Sequence, residues 1–296
     1  MKKNKLFFFY LIILSLFTIY VLSDTFLISK VYTNVQSTQN NNESNNILEV
    51  TNKKVTDNSY KDDNIKINIT TYREYDTNIY VADITLSDSL LLKCAFANNS
   101  YGKNITNKTS NIASSNNAIL AINGDYYGVQ EVGYVLKNGV IYRSTPKNNQ
   151  EDLVIYKDGT FEIINESEVS IEELLNKGAY NILSFGPSLL INNTITVNEN
   201  TEVGKSMASN PRTAIGYISN NHYVFIVSDG RTSESEGLSL YELATFAKKL
   251  GINTLYNLDG GGSSTMYFNG NIINNPTTNG RNISERSVSD IVYIGY

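Results

Sequence analysis

The chain has 296 residues, enough for one domain of ordinary size with appendages or for two small ones. Its net charge of −5 excludes a generally basic nucleic-acid binder, and no nucleic-acid partner is expected. One Cys and one His exclude an intramolecular disulfide, a typical four-ligand zinc site and any histidine-based mechanism that does not rest wholly on His222.

Residues 1–5 carry three Lys, and Leu6 to Leu22 then run seventeen residues without a charge. That is about the shortest stretch able to span a bilayer as a helix. It exceeds the roughly 7–15-residue apolar core of a signal peptide, and Ser23-Asp24-Thr25 offers no small-x-small cleavage site. An uncleaved membrane anchor over residues 6–22 is expected, with the basic flank inside and the remainder outside; secretion after signal cleavage is the alternative. Residues 23–63 are rich in Asn, Ser, Thr and Lys, and Gln39 to Asn46 is nearly free of apolar side chains. Such a segment buries too little surface to repay its ordering and reads as a polar tether.

From residue 64 to 296 the pattern becomes short and β-rich, as expected of a single sheet-dominated α+β domain with few helices. Ile65, Ile67 and Ile69 alternate with polar residues. Asn138-Gly139, Asp158-Gly159 and Asn269-Gly270 each separate two apolar runs and predict hairpins. Ser170 with Glu173, and Ser239 with Glu242, form capping boxes; the second opens a helix that Gly251 closes. Ile252 to Leu258 then reads as a buried strand. The abundance of Asn, 41 residues, fits turns and strand ends better than helices.

Polar chemistry gathers where apolar strands end, the usual place for sites. Ala118 to Ile122 ends in Asn123-Gly124-Asp125-Tyr126-Tyr127, Tyr223 to Val227 ends in Ser228-Asp229-Gly230-Arg231, and Leu258 is followed by Asp259, Gly260, Gly261, Gly262, Ser263, Ser264 and Thr265. Three consecutive glycines can bring bare amides against an anion, and the hydroxyls beside them add donors. No Lys follows, so this is not a P-loop. Arg212, at the start of another strand, offers a planar fork that suits phosphate or carboxylate oxygens.

Asn257-Leu-Asp-Gly-Gly-Gly-Ser-Ser-Thr-Met266 resembles the most distinctive motif of the phosphodiester glycosidase family. Asn123 to Tyr127, Asn210 to Gly216, Asp229 to Arg231 with the capped helix after it, and Arg286 to Asp290 match in the same order, so the resemblance covers about Ile65 to Tyr296. It implies cleavage between a sugar's anomeric carbon and a phosphate that links it to another group. Bacterial relatives are often labelled exopolysaccharide or cell-surface proteins, which suggests a phosphorylated glycan of wall or capsule as partner. No cofactor is implied, although a divalent cation is not excluded.

In that reaction the transition state is oxocarbenium-like, and stabilising the departing phosphate matters more than protonating it. Arg212, Arg231, the glycines and, third, Arg286 suit the phosphate. Asp259 leads as nucleophile or general base, with Asp229 and Asp125 competing for the second carboxylate role. Asn123 and Asn257 suit sugar hydroxyls. Tyr126 and Tyr127 offer either a stacking face, which must be Tyr or Phe in a chain without Trp, or core filling. Two other readings stand beside this one: a noncatalytic module binding phosphorylated glycans, and a metal-dependent phosphodiesterase in which Asp125, Asp229 and Asp259 hold Ca²⁺ or Mg²⁺. His222 is expected at a hairpin surface and Cys94 as a small core residue.

Overall fold

Ile65–Glu74 and Thr77–Leu86 pair antiparallel along their whole length, and the alternation of Ile65, Ile67 and Ile69 puts one face of this ribbon inside. The computed structural model describes residues 2–35, 51–202 and 209–296. The ribbon belongs to a nine-stranded sheet in the order Thr194–Ile195, Ser188–Ile191, Thr254–Asn257, Thr213–Ser219, His222–Ser228, Thr77–Leu86, Ile65–Glu74, Ser59–Lys61, Lys54–Val55. A second sheet runs Asn271–Ile272, Met266–Phe268, Leu120–Asn123, Asp290–Ile294, Leu92–Phe96. Every pairing in both sheets is antiparallel.

The sheets stack face to face. Tyr223, Phe225 and Val227 pack inward with Ile84 and Ile215 against Leu120, Ile122, Phe268 and Val292 of the smaller sheet. Val224 and Ile226 point the other way, with Ile79 and Val81, onto the helix Leu240–Lys249. That helix carries the complete Ser239–Glu242 capping box and links two strands that run parallel with Thr213–Ser219 between them. The outer face of the smaller sheet is covered by Ile112 and Ala113 of the helix Thr109–Ser115. Helix, sheet, sheet, helix is therefore the layer order. A three-stranded sheet of Phe161–Asn165, Glu151–Tyr156 and Ala179–Leu183 and the hairpin Val135–Lys137 with Val140–Arg143 complete the domain. The fold is sheet-dominated mixed α and β, with four α-helices among the described residues. All three hairpin turns occur where Asn-Gly and Asp-Gly stand, and Asn138 and Asn269 both take positive φ.

The N-terminal helix runs Lys2–Phe26, and Phe7–Phe26 is long and apolar enough to cross a membrane by length and composition, with none of it buried. Within the polar segment beyond this helix, two described stretches pair with the domain. Lys30–Asn34 pairs with Ser100–Lys103, and Lys54–Val55 with Ser59–Lys61 extends the large sheet. Backbone pairing along the edge of a folded neighbour orders a polar segment without burying much apolar surface, which composition cannot reveal. The run Gln39 to Asn46 lies outside the described residues.

Candidate active site

Antiparallel order explains why distant clusters meet. Thr213 stands opposite Val227 and Ala214 opposite Asn257, so the start of Thr213–Ser219 shares one end of the large sheet with the exits at Ser228 and Asn257. In the small sheet Ile291 stands opposite Asn123, and Met266 opposite Ile122. The Thr213 hydroxyl joins the two ends by donating to Asn123 Oδ1 at 2.8 Å. A cavity of about 1180 Å³ opens there, lined in part by Asp125, Tyr126, Arg212, Arg231, Asp259 and Arg286.

Asp259 is the carboxylate that faces this cavity with its partners on one side. Arg286 Nη2 lies 3.0 Å from its Oδ2, and Arg286 Nε donates to Ser263 Oγ at 2.9 Å. Burial pushes the Asp259 carboxyl above the usual range, against the pull of Arg286 and the Ser263 hydroxyl. Beneath it, the fully buried Asn123 donates through Nδ2 to the Asp259 carbonyl at 2.6 Å and accepts from Thr213 and the Thr265 amide. Asn123 therefore fixes the strand end rather than reaching a sugar hydroxyl; its hydrogen-bonding capacity is spent before any ligand arrives.

Three guanidiniums line the same cavity, and one of them, Arg286, touches the carboxylate. Arg212 is buried, donating to the Leu238 carbonyl and pairing with Glu202 at 2.7 Å. Arg231 donates twice to Asn210 Oδ1, at 2.9 and 3.1 Å, and once to the Thr278 carbonyl. Burial first, then the nearness of Arg286 and Arg212, lowers its pKa from the usual guanidinium value. These like charges are therefore close enough to repel, and among the described residues Arg231 makes no carboxylate salt bridge. A cationic surplus of this kind is a ready anion site.

The glycines serve it differently from the expected amide cradle. The amides of Gly261, Ser263 and Ser264 donate to Pro211, Gly260 and Gly261 carbonyls, forming a tight turn. Gly261 takes φ +62°, and a Cβ there would lie 2.9 Å from Arg231 Nη2; one at Gly262 would strike the Thr278 hydroxyl. The triplet lets Arg231 and the loop at Thr278 close in, a role in packing that favours glycine as strongly as an anion nest does. Gly260 and Gly261 line the cavity, while Gly262, Ser263 and Ser264 lie beneath the lining.

The other two carboxylates part from Asp259. Asp229 lies outside the cavity lining and accepts from Tyr80 and from the amide and side chain of Asn275. Asp125 reaches the cavity wall, yet one oxygen accepts from the Tyr127 amide and the other from Lys137 Nζ at 3.0 Å and the Ser184 amide. Lys137 Nζ is also 2.8 Å from Asp290, and all three groups are buried. Among the described residues no group of three or more His, Cys, Asp or Glu side chains is placed to hold a metal ion, so the trio expected for Ca²⁺ or Mg²⁺ is not assembled.

The tyrosine pair divides. Tyr126 is 45% exposed at the cavity, whereas Tyr127 is buried, stacked on Tyr101 and edge-on to Phe96. Asn257 lines the cavity and donates to the Gly186 carbonyl, leaving a buried Oδ1 without a partner. His222 sits at a strand start beside Asp83, and burial pushes the Cys94 thiol up to about 12. Asn210 falls within a motif whose spacing assigns it no role, and the structure makes it the acceptor that holds Arg231. Ser184, Phe185 and Lys147 reach the cavity from the three-stranded side without any motif, and Phe26 and Leu27 reach it from the N-terminal segment. Behind Ser184 lies a buried acid pair: Glu166 accepts from the Tyr134 amide, and burial beside Glu166 raises Asp152 well above the carboxylate range.

Residues 116–295 match the family model of phosphodiester glycosidase, and the chain belongs to that family. It is 32% identical over 177 residues to the SPbeta prophage-derived uncharacterized protein YomE of Bacillus subtilis, covering 59% of this chain and 26% of the relative. It is 28% identical over 173 residues to mouse N-acetylglucosamine-1-phosphodiester alpha-N-acetylglucosaminidase, covering 53% and 33%. The chain thus spans about a quarter to a third of the length of these relatives. Among solved structures, the zebrafish N-acetylglucosamine-1-phosphodiester alpha-N-acetylglucosaminidase catalytic domain, auto-inhibited by its pro-peptide, aligns with a TM-score of 0.61 at 20% identity. That alignment covers 78% of this chain and 83% of the other. A hypothetical protein from Synechocystis gives 0.56 at 15% identity, covering 78% and 62%. At these identities the structural likeness speaks to the fold.

Proposed function

We propose that this chain hydrolyses the bond between a sugar's anomeric carbon and a phosphodiester, releasing the sugar and a phosphate monoester. The observation that carries the reading is the convergence of Arg212, Arg231 and Arg286 on one cavity beside Asp259. The guanidiniums take the phosphate and meet the negative charge that grows on it as the bond breaks. Asp259 answers the positive charge at the anomeric carbon, by attacking it or by taking the proton of the water that does. Tyr126 offers the exposed face of a ring to the sugar. Asn123 acts from below by holding Asp259. The sugar side of the substrate is that of a phosphorylated glycan of the wall or capsule. The apolar helix anchors the protein, with Lys2, Lys3 and Lys5 inside and the domain outside.

Isotopic water tests the reaction. The full chain in detergent is given an N-acetylglucosamine 1-phosphate diester in ¹⁸O water, and label in the sugar is the expected result. Label in the phosphate would instead support cleavage on the phosphorus side, and saturable binding without product would support a binding module.

A further inference from the structure

The glycosidase reading leaves open what stands on the far side of the phosphate, and the mouth of the cavity bears on it. Phe7–Phe26 is a 20-residue apolar span of mean hydropathy 2.0, unburied throughout. At about 1.5 Å per residue it extends roughly 30 Å, the thickness of a hydrocarbon core. Its last residue, Phe26, and the next, Leu27, line the cavity and are 69% and 75% exposed. The junction is fastened. Asn104 Nδ2 donates to the carbonyls of Thr25 at 3.0 Å and Ile28 at 3.2 Å, and Ser29 Oγ donates to the Asn104 carbonyl at 2.9 Å. Lys30–Asn34 then pairs with Ser100–Lys103, so only Leu27 to Ser29 separate the helix from a strand of the domain.

The cavity mouth is therefore held where the apolar span ends, instead of at the reach of a spacer. Val129 and Val132 add apolar side chains to the lining, each 38% exposed, beside the polar Thr106, Gln130 and Lys147. Cationic depth and apolar mouth together suit one chemical class. We propose that the site takes a membrane-borne substrate, a sugar 1-phosphate esterified to a lipid alcohol; this rests on the glycosidase reading. The sugar phosphate reaches Arg212, Arg231 and Arg286, while the first part of the lipid chain leaves the bilayer along Phe26, Leu27, Val129 and Val132. In the reaction a water oxygen bonds to the anomeric carbon and the carbon–oxygen bond to phosphate breaks. The lipid phosphate monoester leaves with the electron pair, and the water proton is taken up by Asp259 or the leaving phosphate. Confining enzyme and substrate to one surface raises their effective concentration.

The test uses the full chain in phosphatidylcholine vesicles with two diesters of N-acetylglucosamine 1-phosphate, one hexadecyl and one methyl, followed by sugar release. The hexadecyl diester is expected to show at least about tenfold higher kcat/KM. In Val129→Asp/Val132→Asp that ratio is expected to fall towards one, with thermal melting checked alongside. Equal rates for the two diesters in the unmodified protein would overturn the lipid inference and leave the glycosidase reading standing. A hexadecyl preference untouched in the double variant would overturn the role of the rim, since location alone would then explain it. No release from either diester overturns the glycosidase reading and this inference with it.

Discussion

Two ionic clusters lie close together in this domain and treat charge in opposite ways. Around Lys137 one cation is sealed between Asp125 and Asp290, at 3.0 and 2.8 Å, with every member buried. Around Asp259 three guanidiniums face an open cavity, and Arg286 is 43% exposed through its side chain. The sealed cluster has its carboxylates in surplus and meets the cavity through Asp125, whose two oxygens are already taken. The open one has cations in surplus and a cavity beside them. Counting carboxylates along the sequence could not separate Asp125 from Asp259; the placement of Lys137 does.

The largest expected effect breaks the open cluster. Asp259→Asn removes the charge while keeping the shape, and sugar release should fall by about a thousandfold or more with the melting temperature little changed, measured by turnover and calorimetry. Breaking the sealed cluster should reverse that pattern. Lys137→Met strands two buried carboxylates, a loss of about 3–5 kcal/mol that lowers Tm by roughly 10 °C or more.

Smaller changes sharpen the comparison. Arg231→Lys keeps charge but loses the fork that spans Asn210 and Thr278, and kcat/KM should fall by about a hundredfold. Arg286→Gln removes a cation that holds down the pKa of Asp259. In the proposed reaction the ionised carboxylate is the working form, so the acid limb of the kcat/KM profile should move to higher pH. The smallest effect belongs to the acid pair behind Ser184. Asp152 binds its proton more tightly folded than unfolded, so stability should decline as pH rises from the ordinary carboxylate range through the raised value. Asp152→Asn should flatten that decline in melting curves taken across pH.

Local signals were the legible part of the fold. Among the described residues fourteen non-glycine residues take positive φ and eleven of them are Asn, the turn role that composition predicted for part of that residue's abundance. The Ser239–Glu242 capping box is present in full, whereas at Ser170 only one half forms, the hydroxyl accepting from the Glu173 amide. For the site, strand exits and motif residues pointed to Asp259, Arg212, Arg231 and Arg286, which the structure brings to one cavity. The sequence could not separate Tyr126 from Tyr127: both line the cavity, and the Phe96–Tyr101 cluster that buries Tyr127 is remote in sequence. Nor could it show that Asp229 is occupied by Tyr80 and Asn275, or that Phe26 and Leu27 border the cavity. Those facts depend on pairings between segments that share no local pattern.

The strand Asp290–Ile294 comes after every other strand in the chain, yet it lies between Leu120–Asn123 and Leu92–Phe96 inside the small sheet. Until it is synthesised, both neighbours present open edges towards one another and the last positive charge of the site, Arg286, has no fixed place. Assembly of the site thus waits for this strand to join its two neighbours. A ribosome stalled short of Arg286 holds most of the fold's sequence and none of its finished charge arrangement.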